Sequence, residues 1–283
     1  MISNTTEVSR IRIVRRFNSK DIGHLSIPAI DANLQWIRLL CPPAFRHSMA
    51  LKIVGFSKTS LLDWDGHVVA TIYLQGCNWR CLYCHNPDLI PTEPSFDELD
   101  FEDLADYIRE NADFLDGVAI SGGEPTLHPD LPILIAKIRD LGMKVKLDTN
   151  GSNPDMLEDL LGSGMLDYVA MDIKAPLNEK YKEIIKVNPD LDAIKRSIRL
   201  LMTSDIDHEF RTTIAPFLLE EKDIESIAAY IGGAKKYALH QFKNDTTLEK
   251  KMELVSPYPE ERLRAMADIA KMYVRKVVVR GTS

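Results

Sequence analysis

Three of the four cysteines fall within eight residues, in Gly76-Cys77-Asn78-Trp79-Arg80-Cys81-Leu82-Tyr83-Cys84-His85-Asn86-Pro87. Spacings of four and three let thiolates from one short loop wrap a face of an iron–sulfur cubane, a cluster normally held by four cysteines. Only three are at hand, so one iron would keep an open position, and an open position on a metal centre is where a substrate binds. A structural zinc site with His85 as fourth ligand is the other reading of these residues. Such sites usually draw on two separated Cys pairs; no second pair exists here, and adjacent Cys84 and His85 would reach one ion awkwardly. Cys41 stands alone as an incidental or buried thiol. The clustering excludes a disulfide framework and points to metal in a reducing, cytoplasmic compartment.

Three further segments could serve such a centre. In Ser121-Gly122-Gly123-Glu124-Pro125, paired glycines let a ligand approach the backbone without Cβ obstruction, and Glu124 can receive an ammonium group. Asp148-Thr149-Asn150-Gly151 is a polar turn. In Met171-Asp172-Ile173-Lys174, Asp172 and Lys174 are two apart and share one face of a strand. Each has an ordinary reading as well: two common turns and a structural ion pair.

Position unites them. After Met49, Met-Ala-Leu-Lys-Ile-Val-Gly-Phe alternates like a first strand, and Asp65-Gly66 reads as a hairpin turn into Val68–Leu74. From there strand-like and helix-like segments alternate. Strands are expected at 118–120, 144–147, 168–173, 208–215, 236–242 and 274–279, and helices at 97–112, 131–141, 154–161, 178–186, 191–203, 221–232 and 259–273. This order predicts an α/β fold of parallel strands joined by right-handed crossovers. The six βα-type strands, those starting near 68, 117, 144, 168, 208 and 236, are too few for eight-stranded closure, so an open, partial (β/α)6 barrel is expected. The cysteine loop and all three further segments then sit at the carboxyl ends of successive strands, the end that carries active sites in such folds.

The chain has 283 residues and a net charge of −7, which argues against nucleic acid as an obligatory partner. No apolar run is long enough to cross a bilayer, so no membrane partner is expected. Residues 1–48 carry a net +4 and residues 49–283 a net −11. Residues 1–48 are read as a leader outside the fold, with translation starting at Met49 or a targeting peptide as the two explanations; residues 49–283 form the domain.

The string Gly-Cys-Asn-Trp-Arg-Cys-Leu-Tyr-Cys-His-Asn-Pro resembles the radical S-adenosylmethionine (radical SAM) superfamily and, within it, the activating enzymes of glycyl radical enzymes. Ser-Gly-Gly-Glu-Pro, Asp-Thr-Asn-Gly and Asp-Ile-Lys match further motifs of that group in the same order. The short start and the final Val277-Val278-Val279-Arg280-Gly281 look most like the branch that activates anaerobic ribonucleoside-triphosphate reductase. The resemblance implies a radical SAM oxidoreductase with one 4Fe–4S cluster on Cys77, Cys81 and Cys84, its open iron chelating S-adenosylmethionine. Tyr83, Gly122, Gly123, Glu124, Asp172 and Lys174 would bind that cofactor, and Asp148 and Thr149 would shape a nearby cation or ribose site. Arg211 and His240 look similar to later ligand-binding positions; a rim ion pair with a glutamate and an edge-strand histidine are their plainer readings. The implied partners are a glycyl radical enzyme subunit and a flavodoxin- or ferredoxin-like electron donor. A pyruvate formate-lyase-type activase, a radical enzyme acting on a small molecule such as a deazapurine precursor, and a zinc-binding scaffold remain the alternatives.

Overall fold

The computed structural model describes residues 51–92 and 96–282. The expected leader, residues 1–48, and Cys41 lie outside the described residues. Eight strands form one sheet in sequential order: β1 (Ile53–Ser60), β2 (Val69–Leu74), β3 (Gly117–Gly122), β4 (Lys144–Thr149), β5 (Tyr168–Asp172), β6 (Asp207–Ile214), β7 (Tyr237–Gln241) and β8 (Val277–Arg280). β1 and β2 pair antiparallel; every later neighbour pair is parallel. The sheet is therefore the expected open, parallel array with a strand added at each edge. The second of these, β8, starts three residues later than the sequence pattern suggests. Asp65-Gly66 does turn, with Gly66 at φ +79° and His67 N donating to Trp64 O at 3.0 Å, but inside an eight-residue loop rather than a two-residue hairpin.

Among the described residues seven α-helices connect the strands: α1 (Phe101–Glu110), α2 (Leu131–Asp140), α3 (Pro154–Ser163), α4 (Glu179–Ile185), α5 (Leu191–Thr203), α6 (Glu221–Tyr230) and α7 (Glu260–Ala270). Their ends follow from local chemistry. Asp100, Asn153 and Asp190 cap α1, α3 and α5 with side-chain oxygens, Pro154 sits in the first turn of α3, and Gly164 ends that helix at φ +66°.

Alternation along the strands separates two faces. Ile72, Leu74, Val118, Ile120, Val145, Leu147, Val169, Met171, Phe210 and Leu239 are buried on the face that meets the helices. The other face is unusually polar, since register aligns Lys146 with Tyr168, Asp148 with Ala170, Asp172 with Arg211, and His240 with Arg280. This face curls inward. Asp65, on the β1–β2 loop at the amino end of β2, reaches Lys236 beside β7 at 2.5 Å and the long side chain of Arg280 on β8 at 2.6 Å, so side chains bridge the two edges, which do not pair. Trp64 of the same loop packs on Tyr168 at 5.7 Å and plugs that end. The lumen opens at the carboxyl ends.

Candidate active site

The cysteine loop leaves β2 and is fastened on every side. Gly76 N donates to Leu89 O (2.8 Å) and Cys77 N to Ile90 O (3.1 Å), closing the loop on itself. Arg80 N and Leu82 N donate to Ile185 O (2.9 Å) and Ile184 O (3.2 Å), carbonyls of the last turn of α4 that have no partner within the helix. Trp79 meets Tyr181 of α4 edge-on at 5.6 Å. From the β7–α7 connection, Glu249 N reaches Leu82 O at 3.0 Å and Thr246 O meets His85 Nδ1 at 3.0 Å. Asn78 bridges to the turn after β4: its Nδ2 donates to Ser152 Oγ (2.8 Å) and its Oδ1 accepts from Asn150 Nδ2 (2.9 Å).

Cys81 is buried, and Cys77 and Cys84 are half-buried. Burial pushes the Cys77 thiol up to about 11 and the Cys81 thiol to about 12, and raises Cys84 too; the Lys174 ammonium pulls all three back toward the thiolate. Backbone N–H groups of Trp79 and Asn86 serve the sulfurs of Cys77 and Cys84. Beside them the buried Tyr83 hydroxyl has no hydrogen-bond partner among the described residues, although Lys174, Asp172 and Cys81 are close enough to act on it. Among the described residues no three His, Cys, Asp or Glu side chains converge on a single ion. Three thiols on one loop, with N–H donors at sulfur, a nearby ammonium and an orphaned hydroxyl, fit a cluster and its ligand.

The glycine motif does structural work at this point. A Cβ on Gly122 (φ +126°) would sit 2.3 Å from Leu74 O, and one on Gly123 2.0 Å from Gly76 O. Their absence lets Gly123 N bond Leu74 O (2.9 Å) and Glu124 N bond Gly76 O (2.8 Å), so the end of β3 lies directly against the root of the cysteine loop. The Glu124 carboxylate is 1% exposed. Its Oε1 accepts from Thr126 N (3.1 Å), Thr126 Oγ1 (2.5 Å) and Thr149 Oγ1 (2.7 Å), and its Oε2 from Asn150 N (2.6 Å). Burial raises its pKa against these bonds. Glu124 thus ties β3 to β4.

Charges line the lumen in alternating order. Lys146 Nζ donates to Asp148 Oδ1 (2.6 Å), Arg211 holds Asp148 Oδ2 (3.1 Å) and Asp172 Oδ1 (2.8 Å), and Lys174 Nζ donates to Asp172 Oδ2 (2.8 Å). Although burial opposes it, the Arg211 guanidinium with Lys146 or Lys174 keeps both carboxyls below the usual range. Arg211 therefore pairs with two aspartates rather than with a rim glutamate. His240 lies on the penultimate strand, not at an edge, within reach of Arg211 and Asp172. Asp148 and Thr149, adjacent on β4, face opposite ways: Asp148 enters the lumen while Thr149 turns to Glu124. Of the residues singled out in the sequence, the cysteine loop, Gly122, Gly123, Glu124, Asp148, Thr149, Asp172, Lys174 and His240 lie at the carboxyl ends of β2–β5 and β7, and Arg211, midway along β6, reaches Asp148 and Asp172. Asn78, Asn150, Lys146, Tyr181 and Arg280 join them. Charged residues two apart within buried strands, Lys146 with Asp148 and Glu209 with Arg211, were the available signal for the lumen.

Comparison with known proteins agrees with this geometry. The family model described as the radical SAM superfamily matches residues 71–231. A protein of Methanocaldococcus jannaschii, provisionally described as a glycyl-radical enzyme activating enzyme, is 34% identical over 244 residues, 82% of this chain and 97% of that one. The pyruvate formate-lyase-activating enzyme of Clostridium pasteurianum is 32% identical over 136 residues, 46% of this chain and 56% of that protein. Among solved structures, Streptococcus suis SuiB bound to its precursor peptide SuiA aligns with a TM-score of 0.59 at 16% identity, over 75% of this chain and 48% of SuiB, a likeness of fold. Matched by that family model over more than half of its length, and by the M. jannaschii protein over nearly all of that relative, this chain belongs to the radical SAM superfamily.

Proposed function

We propose that this chain activates a glycyl radical enzyme, and that its partner is an anaerobic ribonucleoside-triphosphate reductase. The observation that carries the activating role is the relative from M. jannaschii, matched along nearly its whole length. The choice of partner rests on the resemblance of the Val277-Val278-Val279-Arg280-Gly281 segment. The Clostridium relative supports pyruvate formate-lyase as the second candidate.

A cluster bound there with S-adenosylmethionine would supply reductive cleavage chemistry for hydrogen-atom abstraction from the α-carbon of a partner glycine. Cys77, Cys81 and Cys84 would hold the cluster, losing their protons to metal. Lys174, with Asp172 beside it, offers an ammonium to a carboxylate, and Tyr83 a hydroxyl. Gly122, Gly123 and Glu124, with Thr149, set the backbone against which the methionyl end would rest. Asp148, Arg211 and His240 would orient the nucleoside side of the lumen. Preformed hydrogen bonds among Asp148, Asp172, Lys174 and Arg211 fix those side chains before a ligand arrives. A flavodoxin- or ferredoxin-like protein in the cytoplasm would supply the electron.

Anaerobic incubation with reductant, S-adenosylmethionine and each candidate partner tests the reading. A glycyl doublet in the electron paramagnetic resonance spectrum is expected with the reductase, and neither doublet nor 5′-deoxyadenosine with Cys81→Ala. Cleavage of S-adenosylmethionine without a doublet on any glycyl radical protein, together with turnover of a small molecule, would defeat it.

A further inference from the structure

Arg280 is the last residue of β8, and its guanidinium turns into the lumen. Two parallel bonds tie it to Glu209, Nη1 to Oε1 and Nη2 to Oε2, each 2.8 Å, and Nη2 also reaches Asp65 Oδ2 at 2.6 Å. Lys236 brackets the same carboxylates, 2.9 Å from Glu209 and 2.5 Å from Asp65. The guanidinium is locked in place. Its Nη1 lies 3.2 Å from His240 Nε2. A guanidinium can only donate, so this contact is a hydrogen bond only when Nε2 carries a lone pair, which puts the imidazole proton on Nδ1. An imidazolium would set N–H against N–H.

We propose that Arg280 is a positioning residue that holds His240 as the neutral imidazole protonated at Nδ1, so that β7 presents an N–H donor to a carboxylate or hydroxyl oxygen of the ligand in the lumen. The charged groups facing His240 are Arg280 of β8, Arg211 and Glu209 of β6, and Asp172 of β5. Burial first, and then the two guanidinium groups, lower its pKa to about 4, in agreement with a neutral ring. Arg280 belongs to the closing Val277–Gly281 motif, which the cofactor-binding residues leave without a task. The tautomer follows from the hydrogen-bond geometry alone; the donor's role toward S-adenosylmethionine rests on the function proposed above.

The test uses the full chain, labelled with 15N-histidine and kept anaerobic with its cluster oxidised and diamagnetic. Long-range 1H–15N correlation spectra distinguish the two neutral tautomers and the imidazolium, and the signal lost in His240→Gln assigns His240. A neutral Nδ1–H ring persisting down to pH 6 is expected. In Arg280→Met both tautomers should exchange and the titration midpoint should rise by about one pH unit or more. An Nε2–H ring or an imidazolium at pH 7 in the unmodified protein overturns the proposal, even should Arg280→Met fail to fold. So does a folded Arg280→Met protein with the tautomer unchanged. S-adenosylmethionine affinity should fall about five- to tenfold in Arg280→Met with the cluster retained, the value of one hydrogen bond; unchanged affinity overturns the donor role. Absence of a glycyl doublet with the unmodified protein, tautomer and affinity both being as expected, would count against the activating reading instead.

Discussion

Glu124 spends both carboxylate oxygens on its own chain, on Thr126, Thr149 and Asn150. A ligand ammonium would have to join or displace those donors. Glu124→Gln puts an amide N–H₂ where only acceptors are wanted, and one buried donor must go unmet. The expected loss is about 1–3 kcal/mol in urea unfolding, with weaker binding of S-adenosylmethionine and undiminished iron content. Unchanged unfolding would show that the carboxylate is not the tie it looks to be. Gly123 is more exacting. The Cβ of Gly123→Ala would meet the backbone oxygen of Gly76, which cannot move without the cysteine loop. The variant should purify with little iron and sulfide while its far-ultraviolet circular dichroism stays native-like, because the sheet beneath is formed by other residues.

Among the elements, the loop between β6 and α6 stores strain that the site does not visibly use. Phe217 lies there at φ +66° with its side chain 86% exposed. A side chain in that region costs about 1–2 kcal/mol, and glycine is free of the penalty. Because Phe217 buries little, Phe217→Gly should raise the urea midpoint, a gain of about 1 kcal/mol after the added freedom of the unfolded chain. A lower midpoint would mean that the ring contributes packing. Helix α4 illustrates the opposite economy. Only seven residues long, it gives the carbonyls of Ile184 and Ile185 to the cysteine loop and its Tyr181 to Trp79, so helix and loop stabilise one another. Nothing in the local sequence of 179–185 announces that pairing.

At the scale of the whole molecule, buried titratable groups make stability depend on pH in two stages. His85, His128, His208 and His240 all have pKa values below 6.5, each because burial disfavours the imidazolium. Below pH 6.5 the unfolded chain binds protons that the folded chain refuses, so stability falls, for His240 until about pH 4. Asp148, Asp172 and Glu209 also have depressed pKa values, despite burial, because guanidinium groups face them. Their contribution is complete above the unfolded carboxylate range and is lost as pH falls through the folded values. Glu124, raised by burial, runs the other way and offsets part of the second stage. Melting temperature by scanning calorimetry should decline from pH 7 toward pH 5 and more steeply below pH 4; a flat profile would contradict the buried charges.

How much of this was legible without coordinates differs by level. Strand and helix order, the open parallel sheet and the placement of Cys77, Cys81, Cys84, Glu124, Asp172 and Lys174 at one end all follow from hydrophobic period and local turn chemistry, which act over a few residues. The sequence by itself thus determined which residues could meet. Which of them do meet depended on contacts that span the chain. Asp65 reaches Arg280, Asn78 reaches Asn150, Thr149 turns away from Asp148 to Glu124, and Arg280 settles the proton of His240. Those pairings depend on how far a polar sheet face curls and how closely its edges approach, which only the folded chain decides.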